Sequence, residues 1–112
     1  MTSLRNSVHL IGRLGMDPEV IEFESGKNKA RFSLATTDVM YDKNGSRVED
    51  TQWHNIVAWG SLAKIASEYL KKGREIAVEG KLTNRKYEDK NGQNRYFTEI
   101  VANEILMLDR KN

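Results

Sequence analysis

The tetrapeptide Asp-Lys-Asn-Gly occurs twice, as Asp42-Lys43-Asn44-Gly45 and as Asp89-Lys90-Asn91-Gly92, each time between runs that read as strands. Asn-Gly in that setting is the strongest short hairpin signal, because both residues tolerate positive φ. The chain must therefore build two protruding hairpins. The tip residues themselves read as solvated turns. Tyr41 precedes the first tip and Tyr87 the second, and Arg47, Arg85, Lys86 and Arg95 lie along the flanks.

The remaining segments are mostly β-type and are bounded by turn chemistry. Val8 to Leu14 places Val8, Leu10, Gly12 and Leu14 on one side and His9, Ile11 and Arg13 on the other, and Gly15-Met16-Asp17-Pro18 reads as a turn. Val20 to Glu24 is a short strand that Ser25-Gly26-Lys27-Asn28 ends. Lys29 to Asp38 turns Ala30, Phe32 and Leu34 inward. Glu75 to Tyr87 turns Ile76, Val78 and Leu82 inward, with Gly80 expected as a bulge where a sheet curls. Arg95 to Leu108 is the last strand.

One helix interrupts this order. Ser61 is its expected N-cap, and Leu62, Ile65, Ala66, Tyr69 and Leu70 recur as one apolar stripe. Lys71 and Lys72 suit the negative end of the helix, and Gly73 suits a left-handed closing position. Five long strands with a helix between the third and fourth describe an all-β chain with one helix, a five-stranded Greek-key barrel of the OB-fold type with long hairpins. A chain of 112 residues makes one such domain, residues 1–112. The same barrel serves oligonucleotides, sugars and proteins, so fold alone does not assign function.

Trp53 and Trp59 lie six residues apart in Thr51-Gln52-Trp53-His54-Asn55-Ile56-Val57-Ala58-Trp59. On a strand that spacing sends both indoles from one face, about 20 Å apart. Asn55 and Val57 share that face, while His54, Ile56 and Ala58 take the other, and the pattern does not say which side is buried. Ile11 and Val57 are read as exposed apolar residues available to an interface. On the strand after the helix Thr83, Arg85 and Tyr87 share parity, which places a ring beside a cation. Flat rings among cations are what unpaired nucleic acid binds: bases stack at roughly 1 to 3 kcal/mol each, and phosphate contacts release counterions.

Other chemistries find little support. With Cys 0 there is no disulfide, thiol nucleophile or cysteine zinc site, which fits a cytoplasmic setting. The chain has 18 basic and 16 acidic residues, so affinity for a polyanion must come from how cations are placed. The stretch from Met1 to Ser7 is not an apolar leader, and no run is long enough to span a membrane. His9 and His54 stand on different strands without metal-ligand spacing. Gly12-Arg13-Leu14-Gly15 is not a phosphate loop, and Glu49-Asp50 and Glu88-Asp89 read as solvated charge. No catalytic residue, metal or cofactor is expected. A protein-docking module and a nuclease are the competing readings.

Gly12-Arg13-Leu14-Gly15-Met16-Asp17-Pro18-Glu19, Phe32-Ser33-Leu34-Ala35-Thr36, Trp53-His54 with Trp59-Gly60, the run from Ala66 to Gly73, and Val78-Glu79-Gly80-Lys81-Leu82 with Arg85-Lys86-Tyr87 occur in order along the chain. Together they resemble the bacterial single-stranded DNA-binding protein family nearly end to end. The resemblance implies an OB-fold that assembles as a homotetramer and wraps single-stranded DNA without sequence preference, in a cytoplasmic, nucleoid-associated setting. It implies stacking by Trp53, Trp59 and Tyr87, with Met40 where a further tryptophan is common and Tyr41 beside it. Phosphate-contacting cations correspond to Lys43, Lys72, Arg85, Lys86 and Arg95. Asn55, Ser61 and Thr83 stand where relatives carry cations, and Arg5, Arg13, Lys27, Arg31 and Lys81 are candidates to compensate. His54 matches a position tied to subunit association. The sequence ends at Asp109-Arg110-Lys111-Asn112, short of the flexible linker and acidic tip that the family typically carries. Partners recruited through such a tip are not expected from it.

Overall fold

Seven elements follow one another in the computed structural model: β1 (Val8–Leu14), β2 (Glu19–Glu22), β3 (Asn28–Tyr41), β4 (Arg47–Trp59), α1 (Ser61–Tyr69), β5 (Glu75–Glu88) and β6 (Asn94–Met107). The structure describes residues 4–108. Strands run β1-β5-β6-β4-β3 across the sheet, and β1 pairs again with β3 at Arg13 opposite Ala35 and Leu14 opposite Leu34. That second pairing closes a five-stranded barrel, the OB-fold read from the sequence, with β2 added on the free edge of β3.

Closure needs one short strand to serve two neighbours. The register runs from Val8 opposite Gly80 to Arg13 opposite Glu75 on the β5 side, and β1 must then bend towards β3. Gly12 sits at the crossover, where a Cβ would lie 2.1 Å from the carbonyl oxygen of Ala35. Only a residue without a side chain fits there. Gly80 marks the matching bend in β5: the ladder to β6 slips between Glu79 and Gly80, and a Cβ would meet the Val101 carbonyl oxygen at 2.3 Å. The bulge expected at Gly80 is present.

Alternation fills the barrel. Ala30, Phe32 and Leu34 from β3, Ile56 and Ala58 from β4, Ile76 and Val78 from β5 and Ile100 from β6 are sealed inside. Each large aliphatic or phenyl side chain there contributes roughly 1.5–3 kcal/mol of burial. Helix α1 packs against β3 and β4 through Ala63 and Ala66, whose small side chains let the helix backbone approach.

Several local expectations are corrected. The helix N-cap is Gly60, not Ser61, and no side chain caps it. Ile65 and Tyr69 point outward because the docked face is set by Ala63, Ala66 and Leu70. The helix ends at Tyr69, so Lys71 and Lys72 fall in the following turn. Gly73 has φ 87° but closes that turn, its N–H donating to the Leu14 carbonyl at 2.8 Å. Leu82, expected inward, is exposed because β5 has left the barrel for the hairpin by that point. Val57, expected to be exposed, is completely buried although it shares the outer face of β4 with the tryptophans.

Replacing Gly12 by alanine is expected to lower unfolding stability by about 1–3 kcal/mol, the usual cost of forcing a methyl into a packed site. The urea midpoint should fall with the m-value unchanged. An unshifted midpoint would mean that β1 reaches β3 along another path.

Candidate nucleic-acid interface

The two Asp-Lys-Asn-Gly tips have the same internal wiring. In the first, the Gly45 N–H donates to the Asp42 carbonyl at 3.0 Å and the Asp42 N–H to the Ser46 carbonyl at 3.0 Å. Asp42 Oδ1 also accepts the backbone N–H groups of Asn44 and Ser46, both at 2.9 Å. Asp89 repeats every one of these contacts with Gly92, Gln93 and Asn91. Only the glycines have positive φ, 80° at Gly45 and 76° at Gly92. The expectation that asparagine shares that conformation is therefore corrected. The aspartate gathers the turn's N–H groups while Lys and Asn keep negative φ, so a single left-handed glycine completes a three-residue loop.

That turn sets the register of everything below it. On β3 and β4 it places Tyr41 opposite Arg47, Ala35 opposite Trp53, Ser33 opposite Asn55 and Lys29 opposite Trp59. The face carrying Ile56 and Ala58 lines the core, so both indoles project outward; Trp53 is 61% exposed and Trp59 40%. On β5 and β6 Thr83, Arg85 and Tyr87 lie opposite Glu99, Phe97 and Arg95. The expected pairing of Arg85 with Tyr87 on one face is found, and Phe97 joins them. Lys86 and Tyr96 pair on the opposite face of that hairpin.

A cleft of about 530 Å³ lined by Arg31, Arg85, Lys86, Tyr87 and Phe97 links the outer face of β3 to this hairpin. A second groove, about 300 Å³, runs among Trp53, Asn55, Tyr96, Phe97 and Glu99. The aromatics of both hairpins thus border connected concave surfaces. Trp53 lies against the backbone of Gly15, where a Cβ would come within 2.3 Å of the indole. Trp59 is stacked on Phe23, with centroids 6.0 Å apart and planes 19° off parallel, and the Lys29 ammonium sits 5.4 Å from its ring centroid. Gly15, Phe23, Lys29 and Phe97 were not singled out by sequence reasoning. For Phe97 and Lys29 the signal was there, in the register that the turn length dictates.

The cations differ in how they are held. Arg85 lies 3.4 Å from the buried carboxylate of Glu99, Arg31 pairs with Glu19 at 2.6 Å, and Arg95 Nε donates to Asp89 at 2.9 Å. Lys43, at the first tip, and Lys86 make no ion pair among the described residues. Lys72 lies in the turn between α1 and β5, its backbone N–H on Asp17 at 2.8 Å, apart from both hairpins. Tyr41 is exposed on the tryptophan side of its strand, whereas Met40 pairs with Val48 on the other. His54 also faces away from the indoles, half-buried, with a ring nitrogen 2.9 Å from the Thr36 hydroxyl.

The sequence model of the single-strand binding protein family matches residues 5–108. This chain belongs to that family. It is 49% identical over 108 residues to single-stranded DNA-binding protein 1 of Chlorobaculum tepidum, a match covering 96% of this chain and 67% of that protein. It is 50% identical over 107 residues to the single-stranded DNA-binding protein of Neisseria meningitidis serogroup A, covering 96% of this chain and 62% of the relative. The chain thus spans less than two thirds of the Neisseria protein. Among solved structures, a Plasmodium falciparum SSB complex with ssDNA is similar at TM-score 0.84 and 35% identity, over 97% of this chain and 98% of that one. The family membership and the closed barrel agree.

The Asp89 carboxyl is held below the ordinary aspartate value, first by the hydrogen bond from Arg95 and then by the Gln93 backbone N–H. A depressed folded-state pKa means that the carboxylate's contribution to the tip is complete above the unfolded value and is lost as pH falls through the lowered one. In a carboxyl-resolved NMR titration Asp89 should titrate below ordinary aspartates, and Arg95→Ala should raise it. A titration unchanged by that substitution would place the cause elsewhere.

Proposed function

We propose that this chain binds single-stranded DNA without sequence preference and without chemistry of its own, protecting and organising unpaired strands in replication, recombination and repair. The observation that carries the reading is the outward row of rings set among cations. Trp53 and Trp59 lie on one strand, Tyr87 and Phe97 on the facing side of the next hairpin, with Lys29, Arg31, Arg85 and Arg95 between and beside them. Leaving an indole mostly in water forgoes roughly 2–4 kcal/mol of hydrophobic stabilisation. A ligand surface accounts for that sacrifice. The solved relative titled as an SSB complex with ssDNA supports the same reading.

In this reading bases stack on Trp53, Trp59 and Tyr87, with Tyr41 extending the track along the first hairpin. Lys43, Lys86, Arg85 and Arg95 meet phosphates, and Lys72 does so where the strand passes the α1–β5 turn. The protein acts in the cytoplasm, on nucleoid DNA. It assembles as a homotetramer, with His54 at a subunit contact. Support for assembly comes from the outer face of β1, β5 and β6, where exposed Ile11 and Leu106 border a groove of about 470 Å³ with His9 and Glu79. An apolar patch of that kind marks contact surfaces.

Oligo-dT should quench the tryptophan emission, and log affinity should fall with log salt by about 0.7 for each phosphate neutralised. Trp53→Ala should weaken binding by about 1–3 kcal/mol while the fold is kept. Unchanged emission at low salt, with saturating oligo-dT, would contradict the proposal.

A further inference from the structure

We propose that the two hairpin tips are sites of spontaneous deamidation, at Asn44 and Asn91, that Asn44 reacts the faster, and that the carboxylate formed beside Lys43 weakens the hold on single-stranded DNA. The weakening rests on the DNA-binding reading; the reaction and its order do not.

Asn44-Gly45 and Asn91-Gly92 are the two Asn-Gly pairs in the chain. In each, the glycine backbone nitrogen loses its proton to water and bonds to the asparagine side-chain carbonyl carbon. The amide nitrogen takes a proton from water and leaves as ammonia, and a cyclic imide remains. Water then adds to one imide carbonyl and that carbon's bond to the ring nitrogen breaks, giving aspartate or isoaspartate. Nothing is oxidised or reduced. A glycine has no Cβ to obstruct the attack, and nothing lies within 4 Å of where one would stand on Gly45 or Gly92. All four residues are exposed, so water reaches both turns. Asn28, Asn55, Asn84 and Asn103, by contrast, lie in strands and precede residues with side chains.

The attacking nitrogen is engaged at rest: Gly45 N–H donates to the Asp42 carbonyl at 3.0 Å and Gly92 N–H to the Asp89 carbonyl at 3.1 Å. Each turn must therefore open before it reacts, and what holds its aspartate sets the rate. Both aspartates accept two backbone N–H groups, but Arg95 Nε also donates to Asp89 at 2.9 Å, and Asp89 is half-buried. Asp42 is exposed and bonded to no cation among the described residues. The first tip is the looser.

The new carboxyl is ionised at neutral pH and takes the formal net charge from +2 to +1. It stands next to Lys43 and offsets that ammonium as a phosphate contact. The isoaspartate product also adds a backbone atom to a turn whose length sets the strand register.

Peptide mapping by mass spectrometry follows both asparagines during incubation of the whole chain, beside a free peptide spanning residues 41–46. Asn44 should convert about threefold faster than Asn91, the effect of one exposed ion pair. Arg95→Ala should bring Asn91 up to the rate of Asn44, whose own rate in that chain stays unchanged and shows that the fold is kept. Asn44→Asp should lower the salt slope of oligo-dT binding by about 0.7. Equal rates at the two tips, Asn91 still slow in Arg95→Ala, or both amides intact after the free peptide has converted would overturn the proposal. An unchanged slope for Asn44→Asp would overturn the weakening while DNA binding stands. If the fresh chain does not bind oligo-dT, the DNA-binding reading falls with the weakening, and the rates alone decide the modification.

Discussion

The fold of the two hairpin tips is the constraint on which the outer surface depends. Each aspartate carboxylate draws two backbone N–H groups into a three-residue loop, and a loop of fixed length admits one register. A slip of one residue would exchange the faces of a strand. On β4 that would put the indoles in the core and Ile56 and Ala58 in water. The turn therefore decides which residues become the interface, at a distance from any of them.

The barrel supplies what the hairpins cannot. Long two-stranded ribbons are marginal alone, and both hairpins are anchored by their inner halves, where Phe32, Leu34, Ile56, Ile76 and Ile100 close the core. Burial is spent at one end of each strand and exposure tolerated at the other. Arg85 shows how the two regimes meet. Its guanidinium faces the buried Glu99 carboxylate, which needs a cation near it, while more than half of the arginine side chain remains open to solvent. The guanidinium is thereby held in place at the surface.

Much of this was legible in the residues. Alternation identified the inward set of β3, and Gly80 announced the bend in β5. The Trp53 and Trp59 spacing placed both rings on one face, but not outside, because Ile56 and Ala58 are no more apolar a set than two indoles with a valine. The sheet's neighbours decided it. On α1 sequence reasoning placed Ala66 and Leu70 on the docked face, where they are buried, but missed Ala63 and turned Ile65 and Tyr69 inward. Close approach to the barrel is made by the small Ala63 and Ala66, with Leu70 beside them, which leaves Ile65 and Tyr69 outside. Leu82 misled for a related reason: parity continues along β5, but the core beneath it ends. Phe23 and Gly15 were hidden because their roles lie in contacts with residues distant along the chain.

The central claim is that unpaired bases lie on the outward indoles while the barrel beneath is undisturbed. It is tested most directly by following the indole N–H resonances and the core methyl resonances in one NMR titration with oligo-dT. The account predicts large shifts for Trp53 and Trp59, with the methyls of Leu34, Ile56 and Ile76 staying in place. Stationary indole signals in a chain that has demonstrably bound the oligonucleotide would contradict it.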